Sequence, residues 1–155
     1  CDMDGNVVQK LGAEDPKRDV PGLIAPSPHL DVNIAPDGRL WVANPGRHRI
    51  EHYGDDGRIF DFWGSFGAAL EQFPGCCNPA DFLILPDGTF VTAEKGVPRV
   101  KRYDAEGKFL GVVAPPTAFG DNMTGLDLAA DDRGHIYVME RGGRMVRVFV
   151  QKVSQ

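Results

Sequence analysis

The chain has 155 residues, 42% of them hydrophobic and 25% charged, the composition of one ordinary globular domain. Its net charge of −5 excludes the basic excess that a nucleic-acid surface needs. No apolar run approaches the roughly 18 residues of a transmembrane segment.

In chain order, Cys1-Asp-Met-Asp-Gly5 and the residues up to Gly12 read as a tight turn and one strand over residues 1–12. Residues 29–64 carry four short runs. Asp31-Val-Asn-Ile-Ala-Pro alternates, Asp37-Gly38 marks a hairpin, and Arg39-Leu-Trp-Val-Ala, Arg49-Ile-Glu-His-Tyr53 and Gly57-Arg-Ile-Phe-Asp-Phe-Trp63 supply three more strands. Ala68 to Phe73 is expected to make one short helical turn. Residues 80–114 repeat the pattern with Asp81-Phe-Leu-Ile-Leu-Pro, Asp87-Gly88, Thr89-Phe-Val-Thr-Ala, Arg99-Val-Lys-Arg-Tyr103 and Gly107-Lys-Phe-Leu-Gly-Val-Val113. Residues 125–152 repeat only the first three runs: Leu126-Asp-Leu-Ala-Ala-Asp, His135-Ile-Tyr-Val-Met after Arg133-Gly134, and Met145-Val-Arg-Val-Phe149.

The turn dipeptides recur at spacings of 50 and 46. Four strands per unit at this period predict an all-β chain, a β-propeller with about three four-stranded antiparallel blades. Gly5 aligns with Gly57 and Gly107, so residues 1–12 read as a fourth strand without its first three, and the last unit lacks its own fourth. That offset is the order of a closing ring, yet propellers need at least ~4 blades. The chain therefore reads as a single domain forming half of a six-bladed ring. A longer parent chain or a second copy would complete it.

His48-Arg-Ile-Glu-His-Tyr53 and Pro98-Arg-Val-Lys-Arg-Tyr103 resemble the NHL-repeat core, Asn-x-Arg-Ile-x-x-Phe, and Gly143-Arg-Met-Val-Arg-Val-Phe149 resembles it more loosely. Ile24-Ala-Pro-Ser-Pro-His, Asn44-Pro-Gly-Arg-His-Arg-Ile-Glu, Gly75-Cys-Cys-Asn-Pro and Thr92-Ala-Glu-Lys-Gly-Val-Pro-Arg-Val-Lys are similar to segments of an apparently exported bacterial NHL-repeat group. The resemblance implies six blades with a second half upstream. It also implies an extracytoplasmic place, periplasmic or membrane-associated.

Cys76 and Cys77 are the most unusual residues. Adjacent thiolates suit a soft metal such as Zn or Cu, but two ligands are too few alone. A disulfide to an absent partner, or burial as small apolar residues, are the simpler readings. Cys1 is a candidate lipid anchor. His29, Asn44, Arg47, Asn78, Glu94, Lys95 and Glu140 are candidates for one mouth of the ring. Asn44, Glu94 and Glu140 align at one strand end, where oxygens could hold Ca or Zn over a channel; the competing expectation is a salt-bridged rim, Glu94 with Lys95 or Arg99 and Glu140 with Arg141 or Arg144. His48 and His52 are expected as exposed polar residues. Arg47, His48, Arg49, Lys101 and Arg102 are expected on a solvated face, and Trp41, Phe62, Trp63, Phe82, Phe90 and Tyr137 inside or between blades.

The chain has no Gly-x-Ser-x-Gly, no His-Glu-x-x-His and no phosphate loop. The leading expectation is a non-catalytic binding or scaffold propeller that docks a protein partner or ligand at one mouth, as a subunit of a larger, redox-linked assembly. No cofactor is required by this reading. The alternative is a lyase or lactonase with a channel metal.

Overall fold

The computed structural model describes residues 2–120 and 125–150. They form an all-β architecture of three antiparallel sheets and no α-helix. Sheet one is β1 (Val32–Ile34), β2 (Leu40–Asn44), β3 (Arg49–Tyr53) and β4 (Ile59–Trp63), in that order. Sheet two is β5 (Asp81–Ile84), β6 (Phe90–Glu94), β7 (Arg99–Tyr103) and β8 (Phe109–Ala114). Sheet three is β9 (Leu126–Ala130), β10 (Ile136–Glu140) and β11 (Met145–Phe149). No sheet closes on itself.

One turn type builds the hairpins. At Ala35–Arg39, Leu85–Thr89 and Asp131–His135 the first residue donates to the carbonyl of the fifth, and the glycine in fourth place donates back to the first. Gly54–Arg58 and Asp104–Lys108 repeat this between the third and fourth strands. The fourth residue is always glycine with φ between 77° and 88°, the left-handed region a side chain resists. An aspartate carboxylate in each turn (Asp37, Asp56, Asp87, Asp104, Asp131) accepts from the backbone N–H two residues on.

Asp2–Asn6 makes the same turn, with Gly5 at φ 86°. The strand expected beyond it does not form: Asn6–Leu11 pairs with no strand among the described residues. It lies instead against sheet one, where Leu11 stands 3.2 Å from the position a Gly57 Cβ would take. Trp63 of β4 stands against Gly107 of sheet two in the same relation.

Three other expectations are corrected. Ala68–Phe73 is a turn closed by Gln72 N–H on the Ala69 carbonyl, not a helix. Lys101 is fully buried rather than solvated, because it has a carboxylate and two carbonyls to bind inside the protein. Phe62 is exposed, carried to the outside by strand alternation, and the Arg49 guanidinium covers its ring at 4.0 Å.

Two apolar layers hold the sheets together. Trp41, Ala43, Ile50 and Trp63 of sheet one meet Phe82, Phe90 and Tyr103 of sheet two. The other face of sheet two, with Leu83, Val91, Ala93 and Val100, meets Leu126, Ile136 and Val138 of sheet three. All five residues of β6 are buried, since both faces of this sheet are covered.

Gly88 and Gly107 share the turn conformation but not the surroundings. A Cβ at Gly88 meets nothing nearer than 3.9 Å, whereas one at Gly107 falls 2.2 Å from Trp63. In urea denaturation, Gly88→Ala should cost about 1 kcal/mol for left-handed backbone strain, and Gly107→Ala a further ~1–3 kcal/mol for overpacking.

Candidate functional site

The first strands β1, β5 and β9 run side by side, and an aspartate stands at the same register position of each: Asp31, Asp81 and Asp127. Asp31 Oδ2 accepts from the backbone N–H of Phe82 at 3.0 Å, and Asn33 Nδ2 donates to the Phe82 carbonyl at 2.8 Å. Asp81 accepts in turn from the N–H of Leu128. Asp31 and Asp81 thus each cap the residue that follows the next aspartate in the next sheet. Asp127 binds the Arg141 guanidinium at 2.9 and 3.1 Å instead.

These carboxylates sit in one field. Burial, reinforced by the charges of Asp31 and Asp127, pushes Asp81 up to about 8. Burial also raises Asp31. His29 is lowered by burial and by the cations Lys95 and Arg141, against the pull of Asp127. His29 and Arg141 both close over Gly125, each 3.7 Å from where its Cβ would lie. A cleft of about 590 Å³ runs along the three first strands, lined by Asp31, Asn33, Asp81, Phe82, Leu128 and Asp131 among others.

The structure brings His29 and Lys95 to this cluster but puts the other mouth candidates to internal work. Asn44 is buried, donates to Glu51 Oε1 at 3.0 Å and to the Gly22 carbonyl at 3.2 Å, and accepts from Ile24 N–H. Arg47 donates to the Pro21 carbonyl at 3.1 Å. Glu94, 1% exposed, pairs with Arg99 and Lys101 at 2.7 Å each, and Glu140 pairs with Arg147. Asn44, Glu94 and Glu140 do occupy one register position, at the end of the second strand. Their side chains turn toward the third strand of their own sheet rather than toward one another. Of the expected rim pairs, Glu94 with Arg99 forms; Arg141 goes to Asp127, and the partner of Glu140 lies on β11. Among the described residues no three His, Cys, Asp or Glu side chains gather as a metal-holding group.

His48 and His52 are half-buried against aromatic rings, His48 at 4.9 Å from Phe66 and His52 stacked at 5.1 Å on Trp41. They pack there because the apolar imidazole face covers rings that strand alternation leaves near the surface. Cys1 lies outside the described residues.

Asn78 fastens the cysteine loop. Its amide donates to the carbonyls of Pro74 (2.7 Å) and Lys95 (3.1 Å), and its oxygen accepts from Lys95 N–H at 2.9 Å. Cys76 is exposed and Cys77 buried, with their sulfurs 2.9 Å apart. Burial opposes ionisation of Cys77, yet hydrogen bonds from Cys76 and Ser27 and the Lys95 ammonium draw its thiol below the ordinary value. Cys76 is raised, chiefly by its hydrogen bond with Cys77.

The aspartate series escaped sequence reasoning, although its signal is plain: an Asp stands within one residue of the start of the first strand of every unit, at Asp31, Asp81 and Asp127.

No family model matches the chain, and no curated protein matches it. Among solved structures it is similar to a protein of unknown function from Bacteroides caccae, with a TM-score of 0.51 and 17% identity over 86% of this chain and 51% of that one. The likeness is one of fold. The chain spans about half the length of that structure.

Because Asp81 is raised, its contribution to stability is complete below the unfolded carboxyl value near ~4 and is lost as pH rises to about 8. Native protein then holds a proton that unfolded chain has released, so stability falls by up to ~1.4 kcal/mol per pH unit. Chemical denaturation from acid to mildly alkaline pH should show Asp81→Asn, the isostere of the protonated form, gaining on wild type throughout that window. Lys101→Met should cost about 3 kcal/mol by leaving Glu94 buried with half its charge partners. Adding Glu94→Gln to Lys101→Met should recover part of that loss in the same assay.

Proposed function

We propose that this chain is a non-catalytic scaffold of the β-propeller type, three blades of a six-bladed ring, which docks a protein partner or ligand at the mouth formed by His29, Asp31, Asp81, Lys95, Asp127 and Arg141. The observation that carries the reading is the pair of end faces. The face of sheet two that bears Asp81, Val91, Ala93 and Val100 is covered by sheet three. The equivalent face of sheet three bears Asp127, Tyr137, Met139, Val146 and Val148, and its Met139, Val146 and Val148 are exposed. At the other end Val32 and Ile34 of β1 are exposed where Phe82 and Ile84 of β5 are packed.

The capping series agrees. Phe82 N–H and Leu128 N–H are held by the aspartate of the preceding sheet, but Val32 N–H is held by its own neighbour Asp31 at 2.8 Å. Among the described residues Asp127 has no following strand to cap. Three further sheets between Asp127 and Val32 would satisfy both ends, and residues 6–11, placed on sheet one like a fourth strand, would complete the sheet of β11. The Bacteroides caccae structure, about half of which this chain spans, supports the same count. The third-strand pattern around Arg49-Ile50 and Arg99-Val100 supports an NHL-type repeat, and with it an extracytoplasmic setting.

A scaffold fits better than an enzyme because the aligned carboxylates Glu94 and Glu140 are each neutralised inside their own sheet. In hydrogen exchange on the polypeptide as the cell makes it, β11 amides should be protected as a paired strand, and a cysteine at Val148→Cys should resist alkylation until the protein unfolds. Rapid exchange along β11 with free alkylation would overturn the ring. A stoichiometric metal lost with Glu94→Gln would overturn the non-catalytic reading.

A further inference from the structure

The cysteine loop carries chemistry that a scaffold does not require. Cys76 is open to solvent, while Cys77 is 3% exposed directly behind it. The Ser27 hydroxyl is buried with no partner other than the Cys77 sulfur, and Lys95 bonds that sulfur from the end of β6. Asn78 locks the loop to Lys95 by hydrogen bonds in both directions, so the cation and the sulfurs keep their places. The equivalent loop of sheet one, Pro21-Gly-Leu-Ile24, has no such chemistry at the same positions. An exposed thiol with a second, buried sulfur 2.9 Å behind it is the arrangement of an attacking and a resolving sulfur.

We infer that Cys76 and Cys77 form a thiol–disulfide exchange site, which takes a small-molecule disulfide such as oxidised glutathione as oxidant and closes into a disulfide between the two adjacent residues. Cys76 gives up its proton to solvent, attacks one sulfur of the incoming disulfide as a thiolate and expels the other half as a thiolate. The mixed disulfide on Cys76 is now beside Cys77. Cys77 loses its own proton to solvent or to the departing thiolate and attacks the Cys76 sulfur, releasing the second half. In sum two protein thiols lose two electrons and two protons, and one external disulfide becomes two thiols.

Geometry also sets the direction of use. Adjacent α-carbons lie about 3.8 Å apart across a trans peptide, closer than the usual span of a disulfide. Such a bridge is strained and easily reduced, which suits a reversible switch and not a permanent staple. Closing the ring also removes the thiol that Lys95 bonds, and Lys95 is one of the two cations that bear on His29 at the mouth.

The test uses the protein in a Cys1→Ser background, equilibrated in glutathione buffers of graded oxidised-to-reduced ratio, with free-thiol counts and intact mass as readouts. The expected result is that both thiols disappear together, with the loss of two hydrogens in mass, no bound glutathione and return on reduction. Cys77→Ser should instead accumulate glutathione on Cys76, and Cys76→Ser should leave Cys77 unmodified. Lys95→Met should slow ring closure and prolong the mixed disulfide, while the double-cysteine variant keeps the wild-type circular dichroism. Stable glutathionylation of the wild-type pair, disulfide-linked dimers, or thiols that persist in oxidising buffer would each overturn the inference.

Discussion

A sheet whose two faces are both apolar is stable only between two neighbours, since each uncovered face leaves hydrocarbon in water at roughly 25 cal/mol per Å². Sheet two meets that condition. Phe82, Phe90 and Tyr103 go to one side and Leu83, Val91 and Val100 to the other, and the alternation along β6 divides its side chains between the two layers. The same pattern is written into the outer sheets, whose far faces have the equivalent residues without the equivalent cover. The exposed apolar residues are thus best understood as the ends of a stack.

Charge is handled inside each sheet in a way that position, more than residue type, determines. The end of the second strand faces the middle of the third, and the pair there is Asn44 with Glu51, Glu94 with Lys101, and Glu140 with Arg147. The negative group changes strand between the first sheet and the other two, yet a polar bond spans the same site. A buried pair of this kind adds little net stability over apolar residues but penalises any register in which one partner is left alone. Lys101 extends the device by binding the carbonyls of Leu70 and Gln72, which tie the preceding loop to sheet two.

Much of the fold was legible because the period is carried by backbone chemistry. Glycine at the fourth place of each turn and aspartate nearby are demanded by left-handed backbone and by N–H groups needing acceptors, so Asp37-Gly38 and Asp87-Gly88 could be matched by eye. The site was less legible because its residues act between units. Asp31 is polar on a strand start, which sequence alone cannot distinguish from an exposed residue; its meaning is a hydrogen bond to Phe82, 51 residues away. Asn44, Glu94 and Glu140 were aligned correctly, but alignment along the chain does not say whether a side chain turns toward the axis or toward the next strand. A second repeat also passed unread. Val20-Pro-Gly22 and Phe73-Pro-Gly75 share a buried first residue and glycines at φ 77°, so the cysteine loop is a variant of an ordinary connection.

The aspartate caps have a direction: carboxylate from one sheet, N–H from the following one. The two end faces are therefore different surfaces, not two copies of one surface. Contacts of that head-to-tail kind contain no internal stop. Whether units joined this way finish as a ring or continue as a fibre depends only on the rotation from one sheet to the next. In a ring of such units, a small error in that angle, such as a bulky residue beside the first strands would cause, would turn a closed particle into a growing filament.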